Sequence, residues 1–465
     1  MAHLQTNVSF YNKRTAMYFA YSLLTLVVFV VVSPYFVYQA IRYNKYIGSL
    51  RQRLGFLPIT FNIDAEESIW IHAVSVGEAL TARALAADLK ARYPGLRLFV
   101  STTTIAGQQI ARRSLSEVDA VFYFPFDWTF IVRRILNLVR PRLFVMMETE
   151  IWPNLLRECR RRGVKTVMIN GRISSRSYPR YRIIRRFFRR VLSDVDRFCV
   201  QSEESARRLV DLGADAALVT VTGSLKFDSL ELPAVSHGKP RERVLRFFRL
   251  APNRTVLVAG STMKGEEAAV LRAFARIKAM MPAALAILAP RQPERFAEVE
   301  RIARDAGFVT VRRSELPIDA DPRADVVVLD SIGELAQVYQ LGTAVFVGGS
   351  LADHGGHNIL EPAIFGKPIV FGPHMQNFKE IADAFIANDA AIQVRSAQEL
   401  DEVLLALVTD PVRRASLGAA ARALVEANRG AKTRTLEVIA ELLPPGDDRY
   451  GQGHRRVVRP FRLVH

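Results

Sequence analysis

The chain has 465 residues, 49% of them hydrophobic, and so exceeds the roughly 100–200 residues of a usual domain; we expect two domains. Its two cysteines, Cys159 and Cys199, argue against a disulfide-stabilised secreted protein and favour a reducing compartment. A formal net charge of +18 indicates an anionic partner: nucleic acid, acidic lipid or a phosphorylated substrate.

The first predicted element is an apolar segment from Ala16 to Ile41 that contains no charged residue. It exceeds the roughly 20 apolar residues needed to cross a membrane, and tyrosines near both ends suit the membrane interface. A cleaved signal peptide, or a buried or interfacial hydrophobic helix, is the alternative. More basic residues follow the segment than precede it, which favours a cytoplasmic location for the rest of the chain. We therefore predict a single-pass membrane anchor over residues 1–48.

Segments typical of strands alternate with segments typical of helices from SIWIHAV (68–74) onward. This alternation predicts an α/β protein with parallel, doubly wound sheets. The stretch FDSLELPAVSHGKP (227–240) contains two prolines, interrupts the alternation and is the predicted linker. We expect one Rossmann-like domain over 49–228, a second over 241–445 and a basic tail over 446–465. Ligands would bind in a cleft between the two domains.

Polar or glycine-rich sequences follow most of the predicted strands, at the edge where parallel sheets bind ligands. In GSTMKGEE (260–267), exposed N–H groups at the start of a helix would suit a phosphate. The absence of a GxxxxGK[ST] loop, and of GxGxxG after the first strand, disfavours ATPase and nicotinamide-dependent activities. Asp353, His354, His357 and His374 match no standard zinc spacing, so we predict no metal site.

These sequences resemble those of the 3-deoxy-D-manno-octulosonic acid (Kdo) transferases of Gram-negative lipopolysaccharide synthesis. The motifs that carry the resemblance are HAVSVGE (72–78), ETEIWPN (148–154), NGRIS (170–174), GSLKFD (223–228), GSTMKGEE (260–267), PRQPERF (290–296), SIGEL (331–335), GGSL (348–351), HNILEPA (357–363) and GKPIVFGPHMQNF (366–378). Together with the N-terminal apolar segment, they extend the resemblance over nearly the whole chain. It implies a GT-B fold of two Rossmann-like domains, and inverting transfer of Kdo from CMP-Kdo to the lipid A precursor, lipid IVA.

The resemblance also assigns roles to individual residues. It implies that Glu78 is the catalytic base and that Glu148 and Lys226 support the transition state. The residues that it implies for CMP binding are Pro290, Arg291, Ile332, Gly333, Glu334, Asn358, Ile359, Leu360 and Glu361. No cofactor is implied. Gln292 departs from the family pattern, since many relatives have histidine there; an amide keeps hydrogen bonding but does not titrate.

A basic segment from Arg172 to Arg190 contains eight arginines, no acidic residue and four interleaved tyrosines and phenylalanines. Such a segment binds nucleic acid, lies on anionic lipid, or is a solvated helix face. Beside a predicted anchor and a phosphorylated, acylated acceptor, we expect an anionic membrane surface and no nucleic acid.

The sequence therefore predicts a Kdo transferase on the cytoplasmic side of the inner membrane. Two alternatives stay open. One is another GT-B enzyme that uses a uridine-linked sugar; the other is a membrane-tethered basic protein that binds lipid or nucleic acid.

Overall fold

The computed structural model describes residues 17–35, 38, 47–174, 177–228, 245–251, 253–319 and 321–444. The chain forms two compact units: one comprises Met1–Ser229 and Gly430–His465, and the other Leu230–Arg429. Most of the predicted linker (227–240) and the whole predicted basic tail (446–465) lie outside the described residues.

The first unit contains a seven-stranded sheet with the order β3-β2-β1-β4-β5-β6-β7. Its strands are β1 (Ser68–His72), β2 (Arg97–Thr102), β3 (Ala120–Tyr123), β4 (Pro141–Met147), β5 (Lys165–Gly171), β6 (Arg197–Val200) and β7 (Val219–Val221). All neighbouring strands are parallel. Every residue of β1 is buried, as expected for a parallel strand covered on both faces. Trp70 belongs to one hydrophobic cluster and Ile69 and Ile71 to the other, because successive side chains point to opposite faces.

The helices of the first unit precede, connect and cover these strands. They are α1 (Met17–Tyr35), α2 (Ile47–Arg53), α3 (Val76–Arg92), α4 (Ile105–Ser114), α5 (Thr129–Val139), α6 (Pro153–Arg161), α7 (Tyr178–Ile183), α8 (Arg185–Leu192), α9 (Glu203–Asp211) and α10 (Leu225–Asp228). By length and composition α1 could cross a membrane, with a mean hydropathy of 2.0. It confirms the prediction of an N-terminal apolar helix.

The second unit contains another seven-stranded parallel sheet, with the order β10-β11-β9-β8-β12-β13-β14. Its strands are β8 (Val256–Thr262), β9 (Leu285–Pro290), β10 (Thr310–Arg312), β11 (Val326–Val328), β12 (Ala344–Val347), β13 (Ile369–Phe371) and β14 (Ile392–Gln393). Its helices are α11 (Glu266–Met280), α12 (Phe296–Asp305), α13 (Leu335–Val338), α14 (Leu360–Ala363), α15 (Lys379–Ala387), α16 (Ala397–Thr409) and α17 (Pro411–Ala427).

The last described helix, α18 (Ala431–Leu442), belongs to the first unit. The Asp228 carboxylate accepts hydrogen bonds from the N–H groups of Gly430 and Lys432, at 2.8 and 2.7 Å. Val438 and Ile439 lie in the same hydrophobic cluster as β1. The predicted end of the second domain at residue 445 therefore differs from the structure, because sequence periodicity does not show which sheet a terminal helix covers.

Candidate active site

The order of strands reverses beside the first strand of each sheet. In the first unit β1 lies between β2 and β4, and in the second unit β8 lies between β9 and β12. Open α/β sheets bind ligands beyond the carboxyl ends of the strands at such points. The predicted Glu78 lies in the first turn of the helix after β1, the predicted Glu148 directly follows β4, and the loop after β12 leads to the predicted segment 358–361.

Glu78 lies in the first turn of α3, where Ser75 is the N-cap residue. Its carboxylate accepts hydrogen bonds from the Val74 N–H and from the Ser75 hydroxyl, both at 2.9 Å. Burial raises the pKa of Glu78 to about 7, and the nearby charge of Glu148 adds to the increase. A carboxyl group that titrates near neutrality is suited to general-base catalysis.

Glu148 directly follows β4 and has a positive φ of 54°. A left-handed conformation costs a non-glycine residue on the order of 1–3 kcal/mol, so the surrounding structure must hold it. The Glu148 N–H donates to the carbonyl of Ile169 in β5, at 3.0 Å. The strained residue is thus fixed to the neighbouring strand, and its charge lies close enough to Glu78 to influence that group.

Asn170 connects this region to the segment that carries Lys226. It is buried in β5, has a φ of 52°, and its side-chain oxygen accepts a 3.0 Å hydrogen bond from the Leu225 N–H. Its Nδ2 atom has no hydrogen-bond partner among the described residues. The predicted Lys226 follows Leu225 in α10, so the NGRIS and GSLKFD motifs meet at the carboxyl ends of β5 and β7.

Two residues of this site, His72 and Glu150, received no role from the sequence. His72 is fully buried, and its Nδ1 atom lies 3.0 Å from the Ser101 hydroxyl. Its Nε2 atom lies 3.5 Å from the Glu150 carboxylate, and its ring stacks on Phe124. Glu150 also contributes to the raised pKa of Glu78. The sequence signal that could have identified Glu150 is the pair of carboxylates in ETE (148–150).

In the second unit, Glu266 occupies the position where we expected a phosphate. Its buried carboxylate accepts backbone N–H bonds of 2.7–3.2 Å from Met263, Gly349, Ser350, Leu351 and Ala352. Loop amides commonly bind anions in this way, but here the anion is supplied by the chain itself. Of these five amides only that of Met263 belongs to GSTMKGEE, so its N–H is already bonded within the protein, and the phosphate site otherwise stays a prediction.

The glycines after β12 are required by contacts within the protein. A Cβ atom at Gly348 would lie 2.6 Å from the Thr262 Cα atom, and Gly349 has a φ of +67°. A Cβ atom at Gly349 would lie 2.7 Å from the His357 ring. A Cβ atom at Gly348 would also lie 2.7 Å from a Glu266 carboxylate oxygen, so these glycines let the loop close around Glu266.

The predicted nucleotide residues Arg291, Asn358 and Glu361 form an electrostatic cluster. The Asn358 amide donates to the Glu361 carboxylate at 3.2 Å, and Arg291 lies close enough to lower the pKa of that group. Burial has the larger effect and raises the pKa of Glu361. Arg291 is exposed, and its backbone N–H is held by the Thr262 carbonyl at 3.0 Å. Its guanidinium is therefore placed where a phosphate could reach it.

His357 lies beside the same cluster. Burial lowers its pKa to about 4, with a further contribution from the charge of Arg291, so its ring is neutral near pH 7. Its Nε2 atom has no hydrogen-bond partner within the described part of the chain. The sequence had indicated only that His357 was a loop histidine and not a metal ligand.

The other predicted nucleotide residues differ in how exposed they are and in whether their side chains are already bonded within the protein. Glu334 is engaged by Arg313 at 2.7 and 2.9 Å and by the Ser331 hydroxyl. Ile332 is exposed, and Gly333 has a φ of +88°. Pro290 ends β9, while Ile359 and Leu360 are buried at the start of α14. Glu334 thus stabilises its loop, which presents Ile332 to solvent.

Within the described residues, no group of three or more histidine, cysteine, aspartate or glutamate side chains could hold a metal ion. His374 lies 3.4 Å from the Asp353 carboxylate, which also accepts a 3.4 Å hydrogen bond from the Gln376 amide.

The basic segment forms α7 and α8 and is partly paired with acids from elsewhere in the unit. Arg182 and Arg185 both lie 3.7 Å from Asp211, and Arg190 lies 3.7 Å from Asp194. Ile183, between the two helices, is largely exposed. The surface is therefore both basic and apolar.

Comparison with known proteins agrees with this geometry. The family model of 3-deoxy-D-manno-octulosonic-acid transferases matches residues 48–229. The 3-deoxy-D-manno-octulosonic acid transferase of Haemophilus influenzae is 32% identical over 407 residues, which cover 87% of this chain and 93% of the relative. The chain belongs to the Kdo transferase family. Its relative from Bordetella pertussis is 35% identical over 387 residues, 81% of this chain and 87% of that one.

Solved structures support the predicted fold class. A UDP-GlcNAc 2-epimerase from Neisseria meningitidis, bound to UDP-GlcNAc, has a TM-score of 0.55 at 14% identity, and the match covers 81% of this chain and 100% of the epimerase. At this identity the similarity concerns the fold alone. Two parallel α/β units of the GT-B type are thus confirmed, and family membership makes the protein a glycosyltransferase of lipopolysaccharide synthesis.

Proposed function

We propose that the protein transfers Kdo from CMP-Kdo to a hydroxyl group of lipid IVA, with inversion at the anomeric carbon and Glu78 as general base. The observation that carries this proposal is the buried Glu78 carboxyl group, whose pKa is raised to about 7 at the point where the strand order reverses. Near neutral pH, a substantial fraction of Glu78 is ionised and ready to accept a proton.

In the proposed reaction, the acceptor hydroxyl gives its proton to Glu78 while its oxygen attacks the anomeric carbon of Kdo. The bond from that carbon to the CMP phosphate breaks, and CMP leaves with the bonding electrons. One displacement of this kind inverts the anomeric configuration. Glu148 and Lys226 are assigned to stabilise charge that develops in the transition state, since fixed charges need no reorganisation during the reaction.

The proposed nucleotide site consists of the Arg291, Asn358 and Glu361 cluster with the adjoining loop of Ile332 and Gly333. Arginine suits the CMP phosphate because its guanidinium forms paired, charge-assisted hydrogen bonds. A carboxylate such as Glu361 suits ribose hydroxyl groups. Because the amides of the glycine loop are already bonded to Glu266, we assign the phosphate to Arg291 and not to that loop.

The acceptor is a phosphorylated and acylated lipid, so we place the protein at the cytoplasmic face of the inner membrane. The apolar helix α1 and the arginine-rich α7 and α8 support this location. Arginine side chains are attracted to anionic lipid headgroups.

The proposal is tested by incubating purified full-length protein with a CMP-Kdo source and lipid IVA, then measuring the acceptor mass. We expect a gain of one or more Kdo units, and a UDP-sugar in place of CMP-Kdo should give none. Titration calorimetry with CMP and UDP should show preference for CMP. An unchanged acceptor, under conditions where the Haemophilus influenzae relative modifies it, would refute the proposed reaction.

A further inference from the structure

The apolar helix α1 packs along one face on the rest of the first unit. Tyr18, Tyr21, Ser22, Thr25 and Phe29 are buried or half-buried and recur at helical spacing, so they form one stripe. We call these five residues the docked stripe. It contains all four of the hydroxyl-bearing residues between positions 18 and 29.

Hydroxyl groups of the docked stripe are bonded to groups of the first unit. The Tyr18 hydroxyl donates to Asp194 at 2.6 Å, and the Ser22 hydroxyl accepts from the Asn154 amide at 2.9 Å. The Trp128 indole N–H donates to Thr25 at 3.2 Å. Tyr21 hydrogen-bonds to Asp127, which is itself buried. These bonds hold α1 in a defined orientation on the unit.

Ring contacts extend the docking along the helix. Tyr21 lies 5.8 Å from Phe187 of α8, and Phe29 lies 5.1 Å from both Phe126 and Trp128. From Tyr18 to Phe29 the contacts cover about 16 Å of a helix of about 28 Å. The described turns after Phe29, to Tyr35, cover about 9 Å, and the apolar segment ends at Ile41, so at most about 18 Å of apolar helix follows Phe29. The hydrocarbon core of a membrane is about 30 Å thick, so the part of this segment beyond the docked stripe is too short to cross it.

The opposite face of α1 is apolar and exposed, with Leu24 63% and Val31 71% exposed. A cavity of about 320 Å³ opens along the edge of α1, lined by Leu23 and Leu26 of the helix and by Trp128, Phe130 and Arg157 of the unit. An apolar cavity with an arginine at its edge suits the acyl chain and the phosphate of a membrane lipid.

Basic and apolar groups continue this surface beyond α1. The Arg157 guanidinium lies 4.5 Å from the centre of the Tyr18 ring. Through the Tyr21–Phe187 contact, α1 adjoins α7 and α8, which carry six arginines over residues 178–192 and no acidic residue. A basic border around an apolar surface is typical of helices that lie in a membrane interface.

We propose that α1 lies in the plane of the membrane interface, with its docked stripe on the protein and its exposed face among the lipid acyl chains. The identity of the membrane, the inner membrane, rests on the proposed function; the orientation of α1 does not. It replaces the single-pass anchor that we expected from length and hydropathy. The segment ahead of α1 then lies on the same side of the membrane as both units, and one face of the first unit is held against the lipid.

The sidedness is tested with full-length protein carrying a single reactive cysteine, Ser9→Cys ahead of the apolar segment or Asn44→Cys after it. The native Cys159 and Cys199 are free and buried, so they serve as an unreactive background, checked with the unsubstituted protein. We expect a membrane-impermeant maleimide to label both variants in inverted inner-membrane vesicles and neither in spheroplasts. Labelling of Ser9→Cys in spheroplasts and of Asn44→Cys in inverted vesicles would establish a spanning helix and overturn the proposal.

The depth is tested with nitroxide labels at Ala20, Leu24, Val27 and Val31, the side of α1 opposite the docked stripe, in phosphatidylethanolamine–phosphatidylglycerol vesicles. Accessibility to oxygen and to a water-soluble nickel complex should give similar shallow depths, whereas a spanning helix would spread them over about 16 Å. Short distances between labels of two copies, with low oxygen accessibility, would indicate a protein partner and refute the lipid contact. Transfer activity of each labelled protein is measured separately, so an inactive enzyme would count against the proposed function and not against the orientation.

Discussion

Two glutamates lie in the first turn of the helix that follows the first strand of their unit, Glu78 in α3 after β1 and Glu266 in α11 after β8, but their hydrogen-bond partners differ. The Glu78 carboxylate accepts from one backbone N–H and one hydroxyl, and has the like charges of Glu148 and Glu150 nearby. The Glu266 carboxylate accepts from five backbone N–H groups. The same topological position therefore supports two opposite roles.

The difference lies in what surrounds each carboxyl group. Five backbone N–H donors occupy the Glu266 carboxylate and hold the glycine loop around it. Burial and neighbouring carboxylates make ionised Glu78 unfavourable, so its carboxyl group can accept and release a proton near neutrality. Position in the fold supplies a site, while the local donors and charges determine its chemistry.

Glu78→Gln removes the proposed base and has the largest expected effect. We expect kcat to fall by about 10²–10⁴-fold, because the amide cannot accept the acceptor proton. The affinity for CMP should stay within about 3-fold, since the proposed nucleotide residues are elsewhere in the chain. The measurements are initial rates and titration calorimetry.

The matched control for Glu78→Gln is Glu203→Gln, which removes an exposed first-turn glutamate from α9 of the same unit. It should leave the rate nearly unchanged. If Glu78→Gln retained more than about a tenth of the activity, Glu78 would not be the base.

Glu266→Gln tests the other half of the comparison. One amide oxygen cannot satisfy five N–H groups, and each buried donor left unpaired costs roughly 1–3 kcal/mol. We expect a loss of about 3 kcal/mol or more, which lowers the melting temperature of a unit of this size by roughly 6–12 °C in calorimetry. The exposed Glu402→Gln should melt like the natural protein. An unchanged melting temperature would mean that the carboxylate is dispensable.

The order of elements and both parallel sheets could be predicted from the sequence, because buried parallel strands such as SIWIH are apolar throughout and polar loops follow them. Motifs mark Glu78, Glu148 and Lys226 as candidate site residues, and the structure places the charge of Glu148 close enough to Glu78 to raise its pKa. The hydrogen bonds of Glu266 could not be predicted from the sequence, because its five donors come from two separate segments that meet only in the folded unit. Likewise, the hydropathy of α1 gives no information on the docked stripe. The hydrogen bonds of that stripe depend on Asn154, Asp194 and Trp128, each more than 100 positions further along the chain than its partner in α1.

Arg291→Ala tests whether this guanidinium binds the phosphate of CMP. If Glu266 takes the loop amides and Arg291 holds the phosphate, loss of the guanidinium should weaken CMP binding by about 10–100-fold, equivalent to about 1.5–3 kcal/mol for a charge-assisted hydrogen bond. Arg301→Ala, an exposed arginine of α12, removes the same charge and should have little effect. Equal weakening in both variants would indicate a general charge effect and no specific contact.

Glu148→Gln tests how neighbouring charge sets the pKa of Glu78, and its expected effect is the smallest. In the natural protein kcat/KM should rise with pH through about 7, as Glu78 loses its proton. Removing the Glu148 charge lowers the pKa of Glu78, so the rise should move to lower pH by about one unit, whatever happens to the maximal rate. Glu150→Gln should shift this pH profile less, since Glu150 contributes least to the raised pKa.

The pH dependence of stability provides a second check on the Glu148→Gln prediction. Folded Glu78 binds its proton more tightly than an unfolded glutamate of pKa 4.5, so its ionisation costs stability as pH rises from 4.5 to about 7. Glu148→Gln should reduce that cost, and profiles that stay superimposable in both measurements would show that burial alone sets the pKa.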